Sequence, residues 1–399
     1  MGDRPPPLEG LFVLDLGQIY QGPYAGFLLA MAGADVVRVE PPEGEPTRRR
    51  AKLAGASLPL AILNSTKRGI TLDLKSAEGR GLLVELVKQA DVLLENYAPT
   101  VTERLGIGPE VLLEANPRLV YASASGYGRS GPSRDDLAMD LTVQARAGFM
   151  AVTGWPDRPP VKAGPAVCDF LGGAHLYGGI MTALFERERT GQGRVVEVSM
   201  LEAAFPALAS NLGLHHNSGG EVAGRTANRH GGMSVTPYNV YPARDGWVAI
   251  ICTTEDHWRN LAVAMGRPEL AEDARYATHS ARSACMDEVD ELVGAWSAGL
   301  DRDAVWAECL AHRVPAAPVR DLHEVLADDH LHARGFLVEV DHPELGRVTL
   351  PRSPVRYEGS ALAELVPSPL LGQHTEEVLA ERLGLDAGAV DALRRRGAL

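Results

Sequence analysis

Residues 11–40 read LFVLDLGQIYQGPYAGFLLAMAGADVVRVE, and this stretch decides the fold. Leu11 to Leu16 (LFVLDL) and Val36 to Glu40 (VVRVE) are short apolar runs, as expected of strands buried on both faces of a parallel sheet. Tyr24 to Met31 between them is predicted to be a helix, which makes a β-α-β unit. A second unit follows in Gly69 to Leu74 (GITLDL), a helix from Ala77 to Gln89, and Val92 to Asn96. A third uses a helix through Pro109 to Ala115 and the strand Leu119 to Ser125 (LVYASAS). Strands alternating with helices at this spacing predict an α/β fold with a doubly wound, Rossmann-like, largely parallel sheet.

Beyond this region, residues 215–234 (HHNSGGEVAGRTANRHGGMS) turn loop-like and read as a linker. A smaller α+β domain is expected over 235–330. It contains the strand Asp245 to Thr253 and amphipathic helices at Asp256 to Met265, Met286 to Trp296 and Arg302 to His312. Short strands return between Val338 and Arg356, and two helices, Thr375 to Leu383 and Ala387 to Arg396, follow.

A chain of 399 residues with 45% hydrophobic content has room for a large core and for two or three domains. The segment MGDRPPPLEG has neither the basic region nor the apolar core of a signal peptide, and no run approaches the roughly 20 apolar residues of a membrane helix. A cytoplasmic protein is the expectation. Cys168, Cys252, Cys285 and Cys309 are widely spaced and read as reduced thiols, with neither a disulfide framework nor a metal site. A formal net charge of -13 argues against nucleic acid and anionic membranes as partners, while leaving room for an anionic small ligand held by local Arg and Lys.

The stretch 161–200, VKAGPAVCDFLGGAHLYGGIMTALFERERTGQGRVVEVSM, carries one acidic residue, Asp169, before a run of small and apolar residues that predicts a buried helix from Phe170 to Glu186. Gly172, Gly173, Gly178 and Gly179 each cost about 1 kcal/mol relative to Ala inside a helix, so close approach of another backbone or a bulky ligand is expected there. By local rules Asp169 is first an N-cap. The other reading is a carboxylate kept charged by the helix start and aimed at an electrophile, as a covalent nucleophile must be.

Gly126, Gly128 and Gly131 (GYGRSG) have GxGxxG spacing after a strand. Pro132 follows, however, and the pattern falls in the third unit rather than the first, which counts against a dinucleotide site. Glu40 reads as a strand-end residue in a crevice. GxxxxGK[ST], HExxH and GxSxG do not occur. His215 and His216 lack acidic or Cys partners at ligand spacing and read as a solvated loop. Arg48 to Arg50 and Arg394 to Arg396 read as charged faces, the first close to the mouth of the first unit.

Several longer motifs, in order, make the chain resemble the class III coenzyme A transferase family, which includes formyl-CoA and carnitine-type CoA transferases and is related to α-methylacyl-CoA racemases. They are VLDLGQIYQGPYAGFLLAMAGADVVRVE, NSTKRGITLDLK, ENYAPTVTERLGIG, NPRLVYASASGYGRSGP and GPAVCDFLGGAHLYGGIMTALFERERTGQG, then NRHGGMSVTPYNVYPARDGWVAI, DHPELGRV and LGQHTEEVLAE. The resemblance implies a large α/β domain built from 1–214 and completed by 331–399, with the smaller domain between. It also implies an interlocked homodimer.

By the same resemblance Asp169 matches the catalytic aspartate, which attacks an acyl-CoA thioester and passes through a mixed anhydride and an aspartyl-CoA thioester before CoA moves to an acceptor carboxylate. CoA thioester is then substrate, with no tightly bound cofactor. Asn96 and Arg104 resemble residues lining the CoA site, Arg104 meeting a phosphate, with Leu72, Lys75 and Tyr97 near the adenosine. Where related racemases carry a catalytic His in a GHD sequence, this chain has Met139 in LAMDL, which cannot transfer a proton; transferase chemistry is therefore favoured over racemisation or non-catalytic binding of CoA esters. CTTEDHW at Cys252 to Trp258 replaces the glycine-rich loop of formyl-CoA:oxalate enzymes, which weakens oxalate as acceptor.

Overall fold

The computed structural model describes residues 4–49, 58–221 and 224–399. Arg50 and residues 222–223 of the expected linker lie outside the described residues. The chain divides into two compact units, one of residues 1–144, 165–204 and 326–399, the other of 145–164 and 205–325.

The first unit is built on six strands: β1 (Phe12–Asp15), β2 (Asp35–Glu40), β3 (Arg68–Thr71), β4 (Val92–Glu95), β5 (Val120–Ser125) and β6 (Arg194–Ser199). All pairings are parallel and the order is β3-β2-β1-β4-β5-β6. The order reverses between β1 and β4. In open α/β sheets a crevice forms beyond the carboxyl ends of the strands at such a switch point.

Alternation along the strands supplies both faces of the sheet. Val13, Val36, Val92, Leu94, Val120 and Ala122 point to one core, where α1 (Gln21–Met31) contributes Ala25 and Leu29. Phe12, Leu14, Val37, Val39, Leu93 and Tyr121 point to the other. There α2 (Ala77–Val87), α3 (Pro99–Leu105) and α4 (Pro109–Ala115) follow in chain order, and Leu83, Leu86 and Leu112 fill the second core. On the first face α1 is joined by Leu176, Ile180 and Ala183 of the 24-residue α6 (Val167–Thr190), which follows α5 (Asp140–Arg146). An antiparallel hairpin (Leu337–His342 with Gly346–Pro351) and α7 (Thr375–Leu383) belong to the same unit.

Helix α6 begins at Val167, three residues before the expected start, and its cap position is Ala166. Asp169 is therefore inside the first turn and not at the cap. The reason lies outside the local sequence: Asp140 Oδ1 accepts the backbone N–H of Cys168 at 2.8 Å and that of Asp169 at 3.4 Å, so a distant carboxylate satisfies two of the open donors. A Cβ at Gly172 would be 3.1 Å from Gln21 Cδ, and one at Gly173 2.6 Å from Gln21 O, so these glycines let α1 and α6 close together. Gly179 faces Val196 in the same way, whereas Gly178 opens on space.

The second unit carries a three-stranded antiparallel sheet of Tyr238–Ala243, Gly246–Ile251 and Ala316–Pro318. Helices Glu255–Ala264, Met286–Ser297 and Arg302–Ala311 cover it around Trp258, Leu261, Tyr276, Val289 and Val305. His215 and His216, expected in a loop, close the helix Ala209–Asn217. Among the described residues no helix is long and apolar enough to cross a membrane, and no cluster of His, Cys, Asp and Glu has metal-binding geometry.

Candidate active site

The carboxyl end of the sheet is where the polar residues gather. A cleft of about 540 Å³ opens there, lined by Gln18 after β1, Glu40 at the end of β2 and Glu45 after it, Leu72 and Lys75 after β3, and Tyr97 and Arg104 after β4. Four of the five expected CoA-binding residues, Leu72, Lys75, Tyr97 and Arg104, thus share one cleft. Leu72 is buried, its N–H donating to Glu40 O at 2.8 Å, while Lys75 and Arg104 are exposed. Arg104 sits in the last turn of α3, where a cation is favoured by the helix dipole. Asn96 is not on the cleft wall. Its Oδ1 accepts from Gln18 N at 2.6 Å and its Nδ2 donates to Gln18 O at 2.9 Å, which clamps the loop after β1.

Below the cleft lies a buried charge network. Lys67 Nζ donates to Asp15 Oδ2 (2.7 Å), Pro23 O (2.8 Å) and Asn64 Oδ1 (2.9 Å). Burial pulls the Lys67 ammonium down to about 8, against the opposing pull of Asp15. Arg38 lies 3.3 Å from Glu40 and 3.2 Å from Glu45. Burial alone would raise Glu40, but Arg38 and Arg48 hold it below the usual carboxylate range. Glu40 is thus a strand-end residue in a crevice, and Arg48, read as part of a charged face, bonds to it at 2.7 Å within that crevice. Glu95, at the end of β4, is pushed up to about 7 by burial.

Asp169 does not line this cleft. It is 9% exposed in the first turn of α6, next to the start of α1. The loop Gly17–Tyr20 links the two places, because Gln18 faces the cleft and Gln21 packs on Gly172, one turn along from Asp169. Gln21 is 1% exposed, and its Nε2 has no hydrogen-bond partner among the described residues. An unpaired buried amide costs about 1–3 kcal/mol, which singles out this side chain, packed on Gly172 one turn along from Asp169. Sequence reasoning missed Gln21, since a Gln at a helix start matches no motif; the glycine pair that accommodates it was the available signal. Tyr20, Tyr24 and Phe170 form an aromatic cluster at the same helix ends, with ring centroids 6.2 Å (Tyr20–Phe170) and 4.9 Å (Tyr24–Phe170) apart.

The glycines of GYGRSG sit in bends and turns, and the next helix, α5, starts only at Asp140, nine residues past Gly131. The backbone donors that a pyrophosphate needs from a helix N-terminus are therefore not supplied there.

Residues 8–375 match the family model described as CoA-transferase family III. The chain is 37% identical over 387 residues to a succinyl-CoA–D-citramalate CoA-transferase of Chloroflexus aurantiacus, covering 96% of each chain. It is 36% identical to a formyl-CoA:oxalate CoA-transferase of Streptomyces coelicolor, covering 98% of this chain and 99% of the relative. Among solved structures it resembles a CAIB/BAIF family protein from Brucella suis with a TM-score of 0.83 and 33% identity, over 95% of this chain and 100% of that one. A match of this length, joined to the same parallel-sheet architecture, establishes that the chain belongs to CoA-transferase family III.

Proposed function

We propose that this CoA-transferase moves CoA from an acyl-CoA thioester to a carboxylic acid by way of covalent intermediates on Asp169. The carboxylate of Asp169 attacks the thioester carbonyl and expels CoA thiolate, leaving a mixed anhydride. The thiolate attacks the aspartyl carbonyl, which releases the donor acid and leaves an aspartyl-CoA thioester. An acceptor carboxylate then attacks that carbonyl, expelling thiolate again, and thiolate attack on the acceptor's acyl carbon yields the new acyl-CoA and frees Asp169. Carboxylate suits both directions because it is a workable nucleophile and a workable leaving group.

The observation that carries this reading is the setting of Asp169. It lies in the first turn of α6, where Asp140 satisfies the N–H groups of residues 168 and 169, and the side chain is held near-buried at a positive helix end. Gln21 Nε2, buried and without a partner among the described residues, is suited to stabilise the oxyanion that develops at each attack. The CoA moiety is assigned to the cleft, with Arg104 and Lys75 meeting phosphate and Leu72 and Tyr97 flanking the adenosine. Asn96 is assigned to the same site as the clamp on Gln18. The reversal of strand order and the helices on both faces support describing the unit as Rossmann-like.

Apolar side chains left in solvent on and around α6, Phe185 at 66% and Leu137 at 91% exposure, support an interlocked homodimer that covers them. A monomer in sedimentation at micromolar concentration would refute that. Relatives named for citramalate and for oxalate are similarly close, so the acceptor is left to experiment. A matrix of acyl-CoA donors against carboxylate acceptors, read by mass spectrometry for wild type and Asp169→Asn, tests the proposal. Exchange that survives the substitution would refute it.

A further inference from the structure

The loop after β1 is held in an unusual way. Three successive N–H groups donate to side-chain oxygens from three different segments: Gly17 N to Asp15 Oδ1 (2.7 Å), Gln18 N to Asn96 Oδ1 (2.6 Å) and Ile19 N to Glu45 Oε2 (3.2 Å). Ile19 adopts φ = 64°, a left-handed conformation that a β-branched residue enters only under constraint. Strain of this kind persists where the surroundings over-determine the backbone. Glu45 supplies the constraint: it is 1% exposed, its N–H is bonded to Glu40 Oε1 at 3.2 Å, and its Oε1 forms an ion pair with Arg38 at 3.2 Å.

The two ends of this loop serve different places. Gln18 lines the cleft assigned to CoA, and Gln21, two residues past Ile19, packs its amide on Gly172 of α6, one turn along from Asp169. Glu45 itself also borders the cleft. One carboxylate thus touches the cleft and fixes the residue whose backbone angle sets where Gln21 stands.

We propose that Glu45 is a positioning residue for CoA transfer, which holds Ile19 left-handed and thereby sets the Gln21 amide against Asp169. The assignment rests on the reading of Asp169 and Gln21 as the reacting site. Glu45 touches neither reacting atom nor acyl group; its effect passes through the backbone of residues 19–21. Loss of the Glu45 acceptor lets Ile19 relax to negative φ and moves Gln21, which slows chemistry while leaving most of the cleft for CoA intact.

Glycine accepts φ near 64° without penalty, so it removes the need for the constraint. A double-mutant cycle on the full-length enzyme therefore separates positioning from bulk stability. Glu45→Ala in the Ile19 background lowers kcat by about ten- to a hundred-fold while KM for the CoA thioester changes by less than about threefold. Ile19→Gly alone stays within about threefold of wild type, and Glu45→Ala added to it costs no more than about threefold. Glu45→Gln, which keeps an acceptor oxygen, retains most of kcat; should Glu45→Ala not fold, the cycle is run with Glu45→Leu, and melting temperatures are recorded for every variant. Equal loss of kcat from the Glu45 substitution in both backgrounds, or a loss confined to KM, overturns the proposal. Asp169→Asn is assayed in parallel: full exchange by that variant removes the reading of the site, whereas the cycle alone reports on the loop.

Discussion

Gly172→Ala is a one-methyl test of the meeting between α1 and α6. The added Cβ would stand 3.1 Å from Gln21 Cδ and closer still to its Nε2, where relaxed heavy atoms keep about 3.5–4.0 Å. The amide must therefore withdraw by more than about 1 Å. Overpacking costs about 1–3 kcal/mol and the gain of Ala over Gly within a helix returns about 1 kcal/mol, so the fold should lose no more than about 2 kcal/mol. Activity should fall further, because misplacement of a reacting group by about 1 Å can cost on the order of a hundredfold in rate. Steady-state kinetics beside thermal unfolding make the comparison. Gln21→Ala should lower kcat by about 10²- to 10³-fold if its amide stabilises the oxyanion, and adding Gly172→Ala to it should change kcat little while relieving the clash. A Gly172→Ala enzyme with unchanged kcat and an intact fold would refute the placement of Gln21 in the chemistry.

Other expectations follow from the same geometry. Asp140→Ala removes the acceptor for two N–H groups of α6 and should destabilise the protein by about 0.5–2 kcal/mol in denaturant titration, with kcat reduced as the first turn loosens. Arg104→Ala should raise KM for the CoA thioester about tenfold and leave kcat within about twofold, and an unchanged KM would remove Arg104 from the phosphate site. Glu95 has a folded pKa raised by burial to about 7, so its protonated form stabilises the fold below the unfolded carboxyl range, and that contribution is lost as pH rises through 7. Glu95→Gln should accordingly gain on wild type between pH 5 and pH 8, by an order of 2–3 kcal/mol, and a gap that does not change with pH would contradict this.

Much of the architecture was legible because its elements are strongly periodic. The strand at Val92, the helix Pro109–Ala115 and the helix Thr375–Leu383 stand where apolar spacing predicts them. Boundaries failed where the deciding group is distant in sequence. Helix α6 starts at Val167 because Asp140, 28 residues away, takes its open donors, so no local rule could have moved Asp169 from cap to first turn. Strand β6 escapes a spacing argument because Arg194–Ser199 follows α6 directly and lies at the sheet edge, with Arg194, Val195 and Glu197 exposed. His215 and His216 sit in a polar, glycine-rich stretch whose composition hides the last turn of a helix.

Site residues divide along the same line. Leu72, Lys75, Tyr97 and Arg104 are recognisable by motif, and each follows a strand of the sheet, so the fold gathers them at one cleft. Asn96, recognised in the same motif, turns its amide to the loop instead. Gln21, Asp140 and Glu45 make their contacts between elements 26 to more than 100 residues apart, which spacing cannot show. Burial without a partner, at Gln21 Nε2, is a property of the folded chain alone.

Covalent transfer through Asp169 is tested most directly by trapping. Enzyme incubated with an acyl-CoA donor and quenched with hydroxylamine or borohydride should yield, on peptide mass spectrometry, a modified Asp169 in the peptide spanning residues 163–187, dependent on donor and missing in Asp169→Asn. Turnover with no modification at Asp169 across a broad donor panel, or a donor-dependent adduct on another residue that persists in Asp169→Asn, would contradict it.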